Sequence, residues 1–274
     1  MTAVPLSEVL APAAREGYAL AGFVVLGWED AVAFVEAAEE TGRPVILQAG
    51  PGCRAHTPVP VLGRMFRHLA DQASVPVVCH IDHGYTIDDC RAGIDHGFTS
   101  VMFDGSRLPI SENIELTARL AGEAHAAGVS VEGEVGFVGY AQGETSAFTD
   151  PDEVARFDRE SGADAIAVSV GNVHLQTEAT GGIDFDALRA IEAVTTRPLV
   201  LHGGSGIPSE TRRRLARESR VCKFNIGTEL RQVFARSLRG FLNENPEKFD
   251  RIEMLKQTIP PMRAQAVEIL NGLS

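Results

Sequence analysis

Positive charge is scarce in this sequence. Its 274 residues carry 25 Lys and Arg against 37 Asp and Glu, for a net charge of −12. A nucleic-acid partner calls for the opposite sign, so that class is set aside and the acidity reads as solubility. Long apolar runs are also missing. No segment approaches the roughly 18 uninterrupted apolar residues of a membrane span. Met1-Thr2-Ala3-Val4-Pro5 lacks the positive n-region and apolar stretch of a signal peptide. Cysteine is sparse: Cys53, Cys79, Cys90 and Cys222 include no C-x-x-C pair. Cys79 and Cys222 lie inside apolar segments and read as small core residues. The expectation is a reducing, cytoplasmic setting with no disulfide framework. Linkers, low-complexity stretches and charge blocks are absent too. Residues 1–274 are therefore expected to form one domain, and a hydrophobic fraction of 44% supports a sizeable core.

What the chain does have is a repeating unit. Short β-rich runs begin near residues 19, 45, 75, 100, 129, 165, 199 and 221, and each interval leaves room for a helix. A glycine precedes several of them, in His96-Gly97, Ala127-Gly128 and Ser161-Gly162, as at a helix end that turns into a strand. Asp150-Pro151 with Glu153 has capping-box spacing, and Thr86 with Asp89 is a weaker version. Residues 5–16 read as a leading helix, and 228–242 and 259–271 as closing helices. Alternating βα units imply a parallel sheet. Eight of them point to an α/β fold of the (β/α)8 TIM-barrel type, for which this length is ordinary. An open doubly wound sheet is the alternative.

Polar residues gather at the ends of these runs. His80-Ile81-Asp82-His83-Gly84 follows Val75-Pro76-Val77-Val78-Cys79, a run apolar enough for a strand buried on both faces. Asp104 ends the fourth strand, Glu132 and Glu134 the fifth, His202 the seventh and Asn225 the eighth; His174 follows the sixth. Strand C-termini form the ligand-binding mouth of a barrel. Burying unpaired carboxylates costs several kcal/mol, so they are expected to face a site. Four histidines with carboxylates suggest a divalent transition metal; neutral imidazole suits zinc, held by three protein ligands with one position open. His56, His68, His96 and His125 lie elsewhere, the last three within or beside helix patterns. Gly203-Gly204-Ser205-Gly206 and Asn225-Ile226-Gly227-Thr228 follow strands seven and eight, where barrels commonly bind phosphate with backbone N–H groups and a helix N-terminus.

Taken together, six stretches resemble the class II, metal-dependent fructose-bisphosphate and tagatose-bisphosphate aldolase family. They are His80-Ile81-Asp82-His83, Val101-Met102-Phe103-Asp104-Gly105-Ser106, Val131-Glu132-Gly133-Glu134-Val135-Gly136, His174, Leu201-His202-Gly203-Gly204-Ser205-Gly206 and Asn225-Ile226-Gly227-Thr228-Glu229-Leu230. They span residues 80–230 in the family's order. The resemblance implies that His83, His174 and His202 hold one catalytic Zn2+. Asp104 and Glu134 match positions that hold a second or displaced metal, and a monovalent cation near the phosphate is the other option. Asp82 matches the acid/base at the cleaved bond. Gly203, Ser205, Asn225, Gly227 and Thr228 match the ketose-phosphate contacts. It further implies a small-molecule partner (a ketose, ketose phosphate or hydroxy-ketone) and a homo-oligomer, dimer or tetramer. A Schiff-base lysine is not required; Lys223, in strand eight, is the one lysine placed where it could act.

Four positions depart from the family pattern. Val24 stands where Asn is usual, Gly50 where Ser or Thr is usual, and Leu175 where glycine follows the strand-six histidine. The loop after strand five, where a catalytic glutamate is usual, reads Gly139-Tyr140-Ala141-Gln142-Gly143-Glu144. Gln142 takes the glutamate's place without a gap, and Glu144 only if the loop path shifts. The metal core is intact and the substrate shell is rewritten. The expected function is a zinc-dependent aldolase acting beside a carbonyl through an enediolate, on a substrate other than fructose 1,6-bisphosphate. A metal-dependent epimerase or isomerase, and a non-catalytic metal or sugar-phosphate-binding barrel, are the alternatives. The charges of Arg251, Lys256 and Arg263 near the C-terminus suit a phosphate, a subunit contact or simple solvation.

Overall fold

In the computed structural model, which describes residues 2–179 and 182–274, eight parallel strands close into a barrel in sequence order. The strands are β1 (Leu20–Val24), β2 (Val45–Ala49), β3 (Val77–Gly84), β4 (Ser100–Phe103), β5 (Ser130–Val135), β6 (Ala165–Val168), β7 (Leu199–Leu201) and β8 (Val221–Ile226). β8 pairs back onto β1, with Leu20 opposite Lys223 and Gly22 opposite Asn225. The open doubly wound alternative is thereby replaced by the closed sheet. Helix α1 (Leu6–Glu16) precedes β1, and α2 (Trp28–Thr41) follows it. The β2–β3 interval holds two helices, α3 (Pro51–His56) and α4 (Val59–Gln72), where room for one was expected. Then come α5 (Ile87–Asp95), α6 (Ile110–Ala126), α7 (Pro151–Glu160), α8 (Phe185–Glu192) and α9 (Ser209–Glu218). The chain ends with α10 (Thr228–Glu244), α11 (Arg251–Lys256) and α12 (Ile259–Gly272). The sequence pattern did not anticipate α11.

Local chemistry sets the boundaries. Thr86 accepts from the Asp89 N–H, and Asp89 accepts from the Thr86 N–H, a complete capping box at α5. The stronger-looking candidate is the simpler one: Asp150 caps α7 through the Asp152 N–H, and Glu153 makes no return bond. Gly97, Gly128 and Gly162 all adopt positive φ where the chain turns from helix to strand.

Two apolar clusters fix where the site can lie. One fills the space between barrel and helices, and Phe23, Leu47, Val101, Val131, Phe157 and Phe224 belong to it. The other fills the lower barrel interior, where Leu20, Ile46, Val78, Met102, Ala167 and Val200 meet Val4, Leu6, Val9 and Leu10 of the leading segment. Helix α1 thus plugs the N-terminal end of the barrel. Its start is tied down by a bridge between Ala3 and Val77 and by the Ser7 N–H donating to Ser130 Oγ. The opposite, C-terminal mouth is left as the place for polar chemistry.

Candidate active site and metal centre

Each strand alternates its side chains, so residues two apart near a strand end face inward together, as Glu132 and Glu134 do on β5. On β3, Val78, His80 and Asp82 share the interior face. His83 would then point outward, but it takes φ +50°, and the β3–β4 register slips between Ile81 and Gly84. This bulge brings two consecutive side chains to the mouth. The expected strand boundary is corrected accordingly: His80 to Gly84 lie within β3 rather than after it.

Three imidazoles converge there. Ring centroids lie 4.6 Å apart for His83 and His202, 5.3 Å for His83 and His174, and 5.6 Å for His174 and His202. Two carboxylates stand beside them. His83 Nδ1 donates to Asp104 Oδ2 at 2.7 Å, and Glu134 Oε2 lies 3.7 Å from His83 Nδ1 and 3.6 Å from His202 Nδ1. The ligand-capable atoms of His83, His174 and His202 lie within 4.8 Å of one another, as do those of His83, Asp104 and Glu134. His83 Nε2, His202 Nδ1 and Glu134 Oε2 are buried and have no hydrogen-bond partner. Buried polar atoms are normally satisfied. Three such atoms in one cluster, all nitrogen or oxygen, fit a borderline-soft divalent cation such as zinc.

Electrostatics agree with that fit. Burial, and then the His83 charge, lower His174 to about 4. Burial and the neighbouring imidazoles hold His202 well below its usual range. Both rings are thus neutral, the form that binds metal. Burial opposes charge on His83, but Asp82, the Asp104 hydrogen bond and Glu134 outweigh it and raise that ring to about 10. Burial and the Asp104 charge push Glu134 up to about 8. Asp82 stays below its ordinary value: burial, the largest single influence, would raise it, but the neighbouring histidines, His83 foremost, together with Lys223 outweigh it. The cluster therefore holds a proton on His83 that a metal would displace.

Beneath the imidazoles lies a second buried layer. His202 Nε2 donates to Glu132 Oε1 at 3.1 Å, and Lys223 Nζ donates to Glu132 Oε2 at 2.7 Å. All three side chains are fully buried. Glu132 fixes the His202 tautomer and leaves Nδ1 free to face the site. His80 belongs to this layer: its Nδ1 lies 2.8 Å from Ser100 Oγ and its Nε2 lies 3.8 Å from Glu132. Lys223 is thus an ion-pair partner and does not line the cavity.

The cavity above the imidazoles has a volume of about 400 Å³. Asp82, His83 and His174 form its floor, and Gly203, Ser205, Asn225, Gly227 and Thr228 line its β7–β8 side. Asn225 Nδ2 donates to Asp82 Oδ1 at 3.1 Å, which orients the carboxylate. Ser205 Oγ accepts from the Gly227 and Glu229 N–H groups at 3.2 and 3.3 Å, joining the 3₁₀ turn Gly204–Gly206 to the start of α10. Val24, Leu26, Gly50 and Cys53 line the adjoining β1–β2 side, Val24 lying against Gly227, and Arg231 stands one turn into α10, its backbone N–H donating to the Gly227 carbonyl. Sequence reasoning missed Arg231, Tyr85 and Tyr140, which also line the cavity. Tyr140 stacks on His174 at 5.0 Å, and Ala141 N–H and His174 N–H bond across to the His174 and Gly139 carbonyls. Gln142 and Glu144 are exposed and stand outside the cavity lining; Glu144 is paired with Arg107. Of the C-terminal charges, Arg263 lies within ion-pair reach of Glu36 and Glu40 on α2.

Leu175 also lines the cavity, at φ +58° and 49% exposed. A left-handed leucine costs about 1–2 kcal/mol, which so exposed a side chain does not regain by core burial. Leu175→Gly is expected to raise stability by about 0.5–1 kcal/mol after glycine's larger entropy loss is counted. Thermal unfolding measures this; a loss of stability would show that the leucine packs favourably.

Comparison with known proteins decides between the readings left open by the sequence. The family described as fructose-bisphosphate aldolase class-II matches residues 4–273. This chain belongs to the class II fructose-bisphosphate aldolase family. It is a metal-dependent aldolase, a lyase of carbohydrate metabolism, rather than an isomerase or a non-catalytic barrel. A 6-phospho-5-dehydro-2-deoxy-D-gluconate aldolase of Shouchella clausii is 37% identical over 269 residues, covering 95% of this chain and 91% of that protein. A fructose-bisphosphate aldolase of Geobacillus stearothermophilus is 36% identical over 257 residues, covering 91% and 89%. The crystal structure of the YdjI aldolase from Escherichia coli K12 superposes with a TM-score of 0.86 at 29% identity, covering 99% of this chain and 97% of that one. Against this aldolase framework, the departures at Val24, Gly50 and Leu175 all fall on the cavity wall, whereas His83, His174 and His202 stand together beneath it.

Proposed function

We propose that this aldolase is zinc-dependent and cleaves or forms the carbon–carbon bond next to the carbonyl of a ketose, ketose phosphate or related hydroxy-ketone through an enediolate. The observation that carries this reading is the convergence of three imidazoles, with unpartnered ring nitrogens on His83 and His202, beside Asp82 on the floor of an open cavity. His83, His174 and His202 would hold the ion, and Asp104 and Glu134 would offer alternative or second-cation positions. A bound divalent ion supplies Lewis-acid stabilisation of the negative charge that develops beside the ketone.

The chain's own residues do the rest. Asp82, held ionised and oriented by Asn225, takes the proton from the hydroxyl at the breaking bond and returns it to the aldehyde in the reverse direction. Gly203, Ser205, Asn225, Gly227 and Thr228 hold the phosphate or terminal oxygens at the β7–β8 side, where the positive end of α10 favours an anion; the Gly227 N–H, taken by Ser205 Oγ, is not among the donors. Glu144 takes the loop-carboxylate role by leaving Arg107 and turning inward; Gln142, an amide, contributes hydrogen bonding and exchanges no proton. Arg231, a cation one turn into α10 beside Gly227 and Thr228, pairs with the phosphate or carboxylate held at that side. With Val24, Gly50 and Leu175 lining the cavity, the preferred substrate is a ketose phosphate or sugar acid other than fructose 1,6-bisphosphate.

Assay of zinc-loaded protein against phosphorylated and free ketoses, including sugar acids, tests this; robust cleavage of fructose 1,6-bisphosphate alone would refute the substrate reading. Arg231→Met is expected to lower kcat/KM about 10–100-fold for substrates with an anion at the α10 N-terminus and to spare neutral ones, the loss of a charge-assisted contact of about 1.5–3 kcal/mol. The same proposal takes residues 1–274 as one barrel domain acting in the cytoplasm, with Cys53, Cys79, Cys90 and Cys222 all free and buried. It also takes the assembly as a dimer or tetramer; Phe249 and Ile252, 90% and 66% exposed near and on α11, supply an apolar contact. Sedimentation of the wild type and of Phe249→Asp checks this.

A further inference from the structure

The bulge that brings Asp82 and His83 to one point has an unpaired side. β2 pairs with β3 only as far as Ala49 opposite Ile81, so the Asp82 and His83 carbonyls lie beyond that ladder. Arg54, on the short helix α3 that follows β2, meets them. Its Nη1 donates to the Asp82 carbonyl at 2.6 Å and also to the Ala49 carbonyl, and its Nη2 donates to the His83 carbonyl at 2.8 Å. Among the described residues Arg54 has no carboxylate within ion-pair distance, so these three carbonyls are its partners. A guanidinium is a planar, rigid fork. One such fork therefore fastens the end of β2 to the two residues whose side chains must share the site.

We propose that Arg54 is a positioning residue for the metal centre: it holds Asp82–His83 in the register-shifted conformation, left-handed at His83, that aims an imidazole and a carboxylate at the same point. The proposal rests on His83 being a metal ligand. Arg54 touches neither ligand atom; it acts through the backbone that carries them. Without it the segment is free to relax toward regular strand geometry, in which His83 faces away, and the binding-competent fraction falls.

The test compares wild type, Arg54→Met and Arg54→Lys. Zinc affinity is measured by competition with a chromogenic chelator, and the visible spectrum is recorded after Co2+ substitution, each with and without guanidinium at sub-denaturing concentration. Arg54→Met is expected to weaken zinc about 10–100-fold, as loss of outer support does in other metal sites. It should also alter the cobalt bands, and added guanidinium should restore part of the affinity. Arg54→Lys, a point charge without the fork, should fall between. A variant that melts earlier yet binds zinc as tightly per folded molecule, with an unchanged cobalt spectrum, would overturn the proposal and leave Arg54 merely structural. Should Arg54→Met fail to fold, the same affinity and spectral comparison on Arg54→Lys decides: wild-type behaviour overturns the proposal. A wild type that binds no zinc would refute the metal reading, and this inference with it. A wild type that binds zinc beside unaltered variants would refute the role of Arg54 alone.

Discussion

Replacing Asp82 with asparagine should lower kcat by about 10²–10⁴-fold while the protein keeps its metal and its KM changes little. The substitution is nearly isosteric. Asn225 Nδ2 donates to Asp82 Oδ1 at 3.1 Å, and an amide oxygen in the same place still accepts that bond. What is lost is a group that can take a proton. Asp82 stands next to His83 in sequence, with Oδ1 3.8 Å from His83 Nε2, and it is only 6% exposed. Among the described residues nothing else on the cavity floor combines an ionised carboxylate with that position: Asp104 and Glu134 are turned toward His83 and lie outside the cavity lining. Steady-state kinetics on metal-replete protein read the effect. A variant within tenfold of wild type would remove Asp82 from the proton transfer.

The second large effect falls on stability. Lys223→Met should destabilise the fold by about 3–5 kcal/mol, because it leaves Glu132 buried without its cation. In a chain of this size that is a fall in Tm on the order of 10 °C. Among the described residues the geometry gives no alternative partner of equal strength. Lys223 Nζ sits 2.7 Å from Glu132 Oε2, His202 already occupies the other oxygen, and His80 Nε2 is 3.8 Å away. Burial, the largest cause holding His80 well below its usual range, remains after the Lys223 charge is removed, so His80 does not replace the cation. Adding Glu132→Gln to Lys223→Met should recover much of the loss, since a neutral amide still accepts from His202 and no charge remains uncompensated. Additive losses in the double variant would contradict this account. The same pair bears on mechanism: borohydride trapping of a substrate on the wild-type chain would show Lys223 acting as an amine nucleophile, contrary to its burial and pairing.

The order of strands was legible in the sequence because a fully buried parallel strand is a short apolar run between glycine punctuation, and this chain repeats that unit without interruption. The site was legible for a similar reason. His83, Asp104, Glu134, His202 and Asn225 each end such a run, so local pattern alone placed them on one rim. Residues that act across the fold were not. Tyr140 reaches His174 only because a loop folds back over the mouth, and Arg231 enters the cavity from the first turns of α10. Arg54 bonds to carbonyls, which leave no trace in residue identity. Glu132 was read as a mouth residue beside Glu134, but two residues along a strand is about 6–7 Å of depth, and that places it in the layer below. Leu175 stood out as a departure from family pattern, and only its positive φ shows that the departure carries strain.

The central claim is that His83, His174 and His202 hold a catalytic zinc. Metal content of the purified protein, measured beside that of His83→Ala, tests it most directly. The account predicts about one zinc per chain in the wild type and its loss in the variant, with activity falling to background. No zinc in the wild type after zinc loading, or equal zinc in both proteins, would contradict it.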